Sequence, residues 1–273
     1  MLHQSDMRSF FLILLFAVAG IANAEIPRGS AVAFALGGIP NFAAPSPLDI
    51  GFNPALSCSS QYSLETNAAR LFEMSDFDIA SGGAARRMRR VTFSLAAAQI
   101  VGLDYYTERS INVAASVAAL PILRLGIALE QQRLEFSEGY PGASTYCLAA
   151  GAVYTPSDRA RIAISAANIN RPRFDDADDP LPLRFEVAGA FRANPAFCVL
   201  VAHHLDERMP DRFSIGELTS ISREFDLILG LKTEPVEISG GFSLKLRGFS
   251  LDYAYCNNVY LGGTHRVGLR YSH

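Results

Sequence analysis

Tryptophan is absent from the sequence, although 10 tyrosines and 18 phenylalanines occur among its 273 residues. Tryptophan and tyrosine commonly form the aromatic girdles of membrane proteins. The absence therefore counts against a membrane protein but does not exclude one, because tyrosines within the predicted strands could supply a girdle. The candidates are Tyr146, Tyr154, Tyr253, Tyr255 and Tyr271.

Cysteine is scarce and dispersed. The four cysteines, Cys58, Cys147, Cys198 and Cys256, are widely spaced rather than clustered. A chain of this length can bury a large core and does not need covalent cross-links to fold. The spacing therefore argues against a disulfide framework.

Charge of either sign shows no large excess. The sequence has 24 basic and 27 acidic residues, a formal net charge of −3, and 49% hydrophobic residues. Nothing in this balance favours nucleic acid as a partner. The composition is compatible with a soluble secreted β-protein or with a membrane β-barrel.

Only one long apolar run exists, and it lies at the N terminus. It extends from Phe10 to Gly20, follows Arg8 and precedes the small-residue site Ala22-Asn23-Ala24. This arrangement predicts a secretory signal peptide at residues 1–24. No later stretch approaches the ~20 apolar residues of a membrane-spanning helix, so we expect an exported chain without helical spans.

Beyond residue 59 the dominant feature is alternation of apolar and polar residues. Near the C terminus, Phe249, Leu251 and Tyr253 share one phase, whereas Ser250 and Asp252 share the other. This two-residue period is typical of strands with one apolar face. Counting such segments gives roughly 14 strands of ~8–13 residues, an even number as in outer-membrane barrels.

The connections between these segments alternate in length. Short turns are predicted at 121–122, 156–158, 194–195 and 247–248, and longer polar loops at 74–89, 137–144, 171–181, 206–211 and 257–263. Short turns at one end and longer loops at the other are typical of an up-and-down transmembrane antiparallel β-barrel. Since an open sheet edge is costly in lipid, we expect the last hairpin to pair with a first strand within residues 61–72. A secreted soluble β-sandwich remains the alternative fold.

Several short motifs resemble those of the PorV/PorQ family of outer-membrane proteins, which is related to FadL-type channels. The two N-terminal motifs are Ala-Leu-Gly-Gly and Asn-Pro-Ala, and further matches lie in a central strand-turn-strand element and in the closing hairpin. The matching residues are Ala35, Leu36, Gly37, Gly38, Asn53, Pro54, Ala55, Asn168, Asp252, Tyr253, Ala254, Tyr255, Gly263, Thr264, His265 and Arg266. The chain departs from the family pattern at Pro45-Ser46 and at Leu56.

The resemblance implies an all-β transmembrane barrel at residues 59–273 of the cell outer membrane, preceded by a periplasmic or plug-like segment at 25–58. It implies a transport or protein-secretion accessory of type IX kind rather than an enzyme; the alternatives are a FadL-like channel for hydrophobic solutes and a structural envelope barrel. The expected partners are outer-membrane lipid and lipopolysaccharide, the β-barrel assembly machinery, and secretion-system proteins or their cargo. No cofactor is expected. The ending Arg266, Gly268, Tyr271, His273 resembles the signal read by the assembly machinery.

Charged residues in the polar phase of the strands are candidates for the barrel lumen. They are Arg184, Glu186, Arg192, Glu237, Lys245, Arg247, Asp252, Arg266 and Arg270. They could select a solute or contact a partner, or they could fill a narrow interior with ion pairs. We favour the second interpretation.

Three further clusters have candidate chemistry. The arginines at 86–90 are predicted at an outer loop, where they could pair with lipopolysaccharide phosphates, although a solvated loop is the simpler interpretation. The aspartates at 175–179 could bind Ca²⁺ but lack the ligand spacing and glycine of a calcium loop. His203, His204 and Asp206 are predicted at the same rim as this acidic loop, and no catalytic motif accompanies them.

Overall fold

The computed structural model describes residues 29–273 except 57, 59, 75, 103–104, 138–140 and 176–177. Its strands form one closed antiparallel barrel of 14 strands in sequence order. The last strand pairs with the first, for example Thr66 with Leu269. The predicted barrel, its strand number and its closure are therefore confirmed. The predicted signal peptide lies outside the described residues.

The strands are 8 to 15 residues long. Their bounds are β1 Tyr62–Arg70, β2 Phe77–Met88, β3 Val91–Gly102, β4 Tyr106–Leu120, β5 Leu123–Phe136, β6 Ala143–Ser157, β7 Ala160–Ala167, β8 Arg184–Asn194, β9 Phe197–Asp206, β10 Arg212–Ser220, β11 Phe225–Lys232, β12 Glu237–Leu246, β13 Phe249–Asn258 and β14 Gly262–Ser272.

Burial alternates along the strands as the two-residue period requires. In β1 every second residue is buried, and in β14 Arg266, Gly268 and Arg270 face inward while Val267 and Leu269 face outward. The outward side chains form an exposed apolar band, with Ile127 67% and Leu269 50% exposed. An apolar exterior is compatible with contact to lipid. Closure of the sheet meets a second requirement, since it leaves no strand edge with unpaired backbone groups in the bilayer. The chain is an outer-membrane β-barrel.

The two ends of the barrel differ in their connections. At one end, here called the turn end, the strands are joined by residues 89–90, 121–122, 158–159, 195–196, 221–224 and 247–248. At the other, the loop end, the connections reach 16 residues in the β7–β8 loop, 168–183. Short turns face the periplasm in such barrels.

The predicted outer loop at 74–89 is wrong. Most of that range belongs to β2, and the β1–β2 connection is 71–76. The arginine cluster at 86–90 consequently lies at the turn end, not at the loop end. Gly82, Gly83, Ala84 and Ala85 hide the strand from a pattern search, because small residues carry little alternation in hydrophobicity.

The β7–β8 loop completes the wall where β7 is too short to do so. β7 pairs with β6 only up to Ala149 and Ala167. Above this level the Asn170 side chain replaces a strand: its Oδ1 accepts from Leu148 N (2.9 Å) and its Nδ2 donates to the Tyr146 carbonyl (2.7 Å). The exposed edge of β6 is thereby hydrogen-bonded.

The segment before the barrel lies inside the lumen. Residues 29–56, here called the plug, comprise helix α1 (Ala31–Ala35), a 3₁₀ turn (Pro47–Gly51) and irregular backbone. Leu36, Ile39 and Phe42 are at most 1% exposed and pack in one cluster with inward-facing Ala188, Leu200 and other residues of the barrel wall. Each such side chain contributes about 1.5–3 kcal/mol on burial. Within the described residues, no helix has the length and apolarity needed to span a bilayer.

Candidate functional site

The plug is held to the barrel wall through the two N-terminal motifs. The Ala35–Gly38 motif begins at the last residue of α1 and lies against β10, β11 and β12. Ser239 Oγ donates to the Ala35 carbonyl and Ser214 Oγ to the Gly37 carbonyl, both at 2.9 Å. Gly37 and Gly38 have φ of 73° and 86°, a left-handed conformation that favours glycine. The motif therefore terminates α1 and anchors the plug to the barrel wall.

The Asn53-Pro54-Ala55 motif anchors the plug to a different part of the wall. Asn53 Nδ2 donates to the Ile164 carbonyl of β7 (2.9 Å), and its Oδ1 accepts from Ala55 N (2.9 Å). A Cβ atom on Gly126 or Gly151 would lie 2.4 or 2.1 Å from atoms of this motif. The strands have glycine here because the plug backbone touches the wall.

Further glycines in the inward phase mark the rest of this contact. Gly216, Gly230 and Gly241 face the Ala35–Gly38 motif at Cβ distances of 3.0 Å or less. Sequence reasoning missed this role, although the signal is visible as glycine at inward positions of strands that otherwise alternate normally. The wall is therefore built to accept the plug.

Asp49 connects the two halves of the plug. Its Oδ1 accepts from Ser30 N (3.1 Å) and its Oδ2 from Ser46 N (3.0 Å), so one carboxylate caps both helical turns. Complete burial raises the pKa of this carboxyl, and the hydrogen bonds from Ser46 and Ser30 and the charge of Arg270 partly oppose the shift. Asp49 was not predicted as a site residue.

Two arginines of the last strand also hold the plug. Arg266 is 1% exposed; it donates to the Gly29 carbonyl (2.8 Å) and stacks on the Phe34 ring at 4.7 Å. Arg270 donates to the Ala44 carbonyl (3.0 Å). These two predicted lumen candidates thus bind the plug backbone.

The other motif residues of the closing hairpin divide between the two faces. Inward-facing Asp252 accepts from Ser250 Oγ (2.6 Å) and from Ser243 Oγ, and Ala254 is fully buried. Thr264 Oγ1 accepts from Phe72 N (3.0 Å). The outward residues form an aromatic group in which the Tyr253 hydroxyl lies 2.8 Å from His265 Nδ1 and the Tyr255 ring packs on His265. Gly263 lies beside Tyr255, where a Cβ would be 2.6 Å from its hydroxyl.

The plug separates two cavities within the lumen. The loop-end cavity has a volume of about 330 Å³. Its floor and nearest walls are apolar: Phe34, Phe52, Leu71 and Phe72. Its upper wall is charged, with Glu186 Oε2 at 3.0 Å from His204 Nδ1 and Lys232 Nζ at 2.7 Å from Glu237 Oε2. Arg184 and Asp206, which pair across β8 and β9, also line it.

The turn-end cavity is smaller, about 150 Å³. Plug residues Val32, Ala43 and Ala44 form its floor, and Arg192 and Lys245 lie in its wall. Lys245 makes an ion pair with Asp226. The prediction that Arg247 faces the lumen is wrong: Arg247 lies exposed in the β12–β13 turn with φ of 47°. Asp252 and Arg266 face inward but line neither cavity.

The three additional clusters are separated by the structure. Arg86 stacks on Tyr62 at the turn end, 5.3 Å from the ring centroid. In the acidic loop the Asp175 carboxylate accepts from Ser144 N (2.9 Å). His203 stacks on Phe213, whereas His204 faces the cavity, so the two histidines do not converge.

The motif residue Asn168 has φ of 61° and donates to the Pro182 carbonyl, which positions the β7–β8 loop. No group of three potential metal ligands occurs in the described part of the chain.

Comparison with known proteins relates the chain to others through its fold. No family model and no curated protein matches the sequence. A Pseudomonas aeruginosa FadL homologue matches with a TM-score of 0.67 and 10% identity over 90% of this chain and 99% of that one. The CymD monoaromatic hydrocarbon channel gives 0.64 and 11% over 90% and 97%, and the Pseudomonas putida toluene transporter TodX gives 0.64 and 9% over 91% and 99%. The chain has the FadL-type fold.

Proposed function

We propose that this chain is an outer-membrane channel for small hydrophobic solutes. The observation that carries the proposal is the 330 Å³ loop-end cavity, whose floor is apolar and lies directly on the plug. Small-molecule sites are typically concave and mostly apolar, with a few polar groups that orient the ligand. We infer that a solute enters from the loop end and rests on Phe34 and Phe52 before the plug lets it pass.

The fold comparison supports this proposal more than the secretion alternative. Two of the matching proteins bear the names of a monoaromatic hydrocarbon channel and a toluene transporter. The PorV/PorQ resemblance, which favours a protein-secretion accessory, rests in part on two N-terminal motifs that in this structure anchor the plug. An anchoring role does not identify a cargo, and fold alone does not specify one either.

The same proposal covers the environment of the barrel. Its apolar band would contact outer-membrane lipid and lipopolysaccharide, and the C-terminal strand would be read by the β-barrel assembly machinery. We propose transport without catalysis, since the charged groups of the loop-end cavity pair with each other, as Glu186 does with His204.

Uptake by proteoliposomes tests the proposal. Vesicles with an outer leaflet of lipopolysaccharide, which slows the passage of apolar solutes, should accumulate labelled toluene faster when they contain the full chain than when they are empty, and should not accumulate a sugar of similar size. Phe52→Ser, which makes the cavity floor polar, should slow toluene uptake several-fold. Tyr260→Ser is the matched control, because Tyr260 is 83% exposed in the β13–β14 turn. Equal rates in empty and loaded vesicles would refute the channel.

A further inference from the structure

Basic side chains are concentrated on the lumen side of the turn end. Six residues in the inward phase of their strands lie there, contributed by β2, β5, β7, β8, β12 and β14. They are Arg87, Arg124, Arg161, Arg192, Lys245 and Arg270. Four carboxylates lie near this level. Asp226 is ion-paired with Lys245, and Asp252 accepts from Ser243 and Ser250. Glu65 lies opposite Arg270 in the β1–β14 pairing, and Asp49 of the plug interacts with the charge of Arg270.

Four of these arginines have no acidic partner in the part of the chain that the structure describes. Among the described residues, no carboxylate makes an ion pair with Arg87, Arg124, Arg161 or Arg192. Nη1 of Arg124 is buried without a hydrogen bond. Like charges instead lie near each other, since Arg161 interacts electrostatically with Arg192 and Arg124 with Arg87. An uncompensated basic cluster in a partly desolvated site attracts anions.

The turn-end cavity is the place where this positive charge meets an apolar surface. Arg192 and Lys245 line it, and Cys198, which also lines it, lies within electrostatic range of both Arg161 and Arg192. Apolar residues, including Leu200, Leu218 and Ile228, form much of the remaining lining, beside the polar Asn41, Ser220 and Ser243. A ligand that fits both features has an anionic head and a short apolar body.

The loop-end cavity lacks this excess. Its wall contains Lys232 and Glu237 as one pair and Glu186 and His204 as another. In the turn-end cavity, by contrast, Asp226 is the one acidic residue among the described lining residues, beside Arg192, Lys245 and Arg270. The plug therefore divides the lumen into a compartment with paired charges and a compartment with net positive charge.

We propose that the turn-end cavity is a binding site for small organic anions, that is, carboxylates or phosphate monoesters with a short apolar part. The guanidinium group of Arg192 in the cavity wall binds the anionic head, because arginine presents a planar fork that matches carboxylate and phosphate oxygens. Arg161 does not line the cavity itself, but it pairs with Ala190 on the neighbouring strand and so lies diagonally beside Arg192, where it adds positive charge. Leu200, Leu218 and Ile228 contact the apolar body. This site is independent of the proposed channel function, and its test requires no transport.

Equilibrium binding to the full chain in a neutral detergent tests the site. Benzoate, benzyl alcohol and inorganic phosphate are the three probes, titrated by ligand-observed NMR. Benzoate should bind, and benzyl alcohol, which has the same ring without the charge, should bind at least 10-fold more weakly. Phosphate should displace benzoate. Binding of benzyl alcohol as strong as that of benzoate would overturn the proposal.

The variant Arg161→Gln/Arg192→Gln locates the site. It should weaken benzoate binding at least 10-fold, whereas Arg159→Gln/Arg223→Gln should leave it unchanged. Arg159 and Arg223 are exposed in two turns of the same end. The control variant therefore also removes two positive charges. Equal affinities of the two double variants would place the site elsewhere and overturn the assignment.

A second measurement uses the unmodified chain, so it does not depend on how the variants fold. Cys198 is a free, partly exposed thiol in the cavity wall. Benzoate should slow its alkylation by a small thiol reagent, read by mass spectrometry, and benzyl alcohol should not. An alkylation rate of Cys198 that benzoate at saturation leaves unchanged would contradict binding in this cavity.

Discussion

The guanidinium of Arg266, in the last strand, stacks on the ring of Phe34, in the first helix, at 4.7 Å, and donates to the carbonyl of Gly29 at 2.8 Å. The strand that closes the barrel thus also holds its plug. Arg266 is 1% exposed, and the acidic groups Glu65 and Asp49 lie close enough to interact with its charge. Closure of the wall and filling of the lumen therefore depend on the same strand.

Arg266→Gln should destabilise the folded barrel by about 3–5 kcal/mol, because removing one member of a buried charge group leaves Glu65 and Asp49 with Arg270 as the remaining positive charge beside them. Arg266→Lys should cost less, since it keeps the charge but loses the planar stacking on Phe34. Urea unfolding in detergent gives both values, and limited proteolysis reports release of the plug. Equal stability of the Gln variant and the parent chain would show that the contact is dispensable.

Gly126→Ala should displace the Asn53–Ala55 motif while leaving the barrel intact. The new Cβ would lie 2.4 Å from plug backbone atoms, and overpacking of this kind costs about 1–3 kcal/mol. Gly189→Ala is the control, because its nearest neighbours are 3.7 Å away. Protease cleavage within the plug should accelerate for the first variant only; similar cleavage rates would argue against a tight motif-to-wall contact.

Leu269→Arg should impair insertion, because Leu269 faces lipid in β14. The expected cost is ~2–4 kcal/mol if the residue is near the midplane and less toward the interfaces. Leu269→Ala separates the effect of charge from that of lost size. Membrane-inserted yield is the readout. Normal yield of the Arg variant together with failure of Asp252→Asn would mean that the faces are exchanged, as a one-residue register shift would cause.

The β7–β8 loop should loosen at acidic pH. Hydrogen bonding from Leu183 N and then from Arg171 lowers the pKa of Glu207 in the β9–β10 loop. A carboxylate with a lowered pKa stabilises the folded arrangement above its ordinary pKa, and this contribution is lost as the pH falls through the lowered value. The protection of residues 168–183 against hydrogen exchange, measured relative to the intrinsic rate at each pH, should therefore fall below about pH 4. In Arg171→Ala the protection should already be lower at neutral pH; protection that does not change with pH in the parent chain would contradict the tether.

Much of the fold follows from the sequence because a strand in a bilayer barrel must alternate. The phases of β12, β13 and β14 could be predicted for this reason. β2 could not, since the small residues at 82–85 carry no strong alternation, and its apparent loop character came from glycine. The β7–β8 connection was predicted as polar, but not its use of Asn170 as a substitute for strand pairing, which requires β7 to be short.

The lumen was less predictable than the wall. The motifs at 35–38 and 53–55 could be recognised as a plug-like segment, but their partners, including Gly126 and Ser239, lie about 70 and 200 residues away and carry no local signal. The two cavities form because the plug docks against wall residues that are distant in the sequence. Without knowledge of that docking, the charged inward residues could not be assigned to the loop-end or the turn-end cavity.

Ion conductance in a planar bilayer tests most directly whether the N-terminal segment closes this barrel. A 14-strand wall that encloses the plug should show no steady open-pore current. A chain lacking residues 29–56 should show a steady current of porin type, with electrophoretic mobility before and after boiling to verify that its barrel is folded. Indistinguishable currents from the two chains would contradict a lumen closed by the plug.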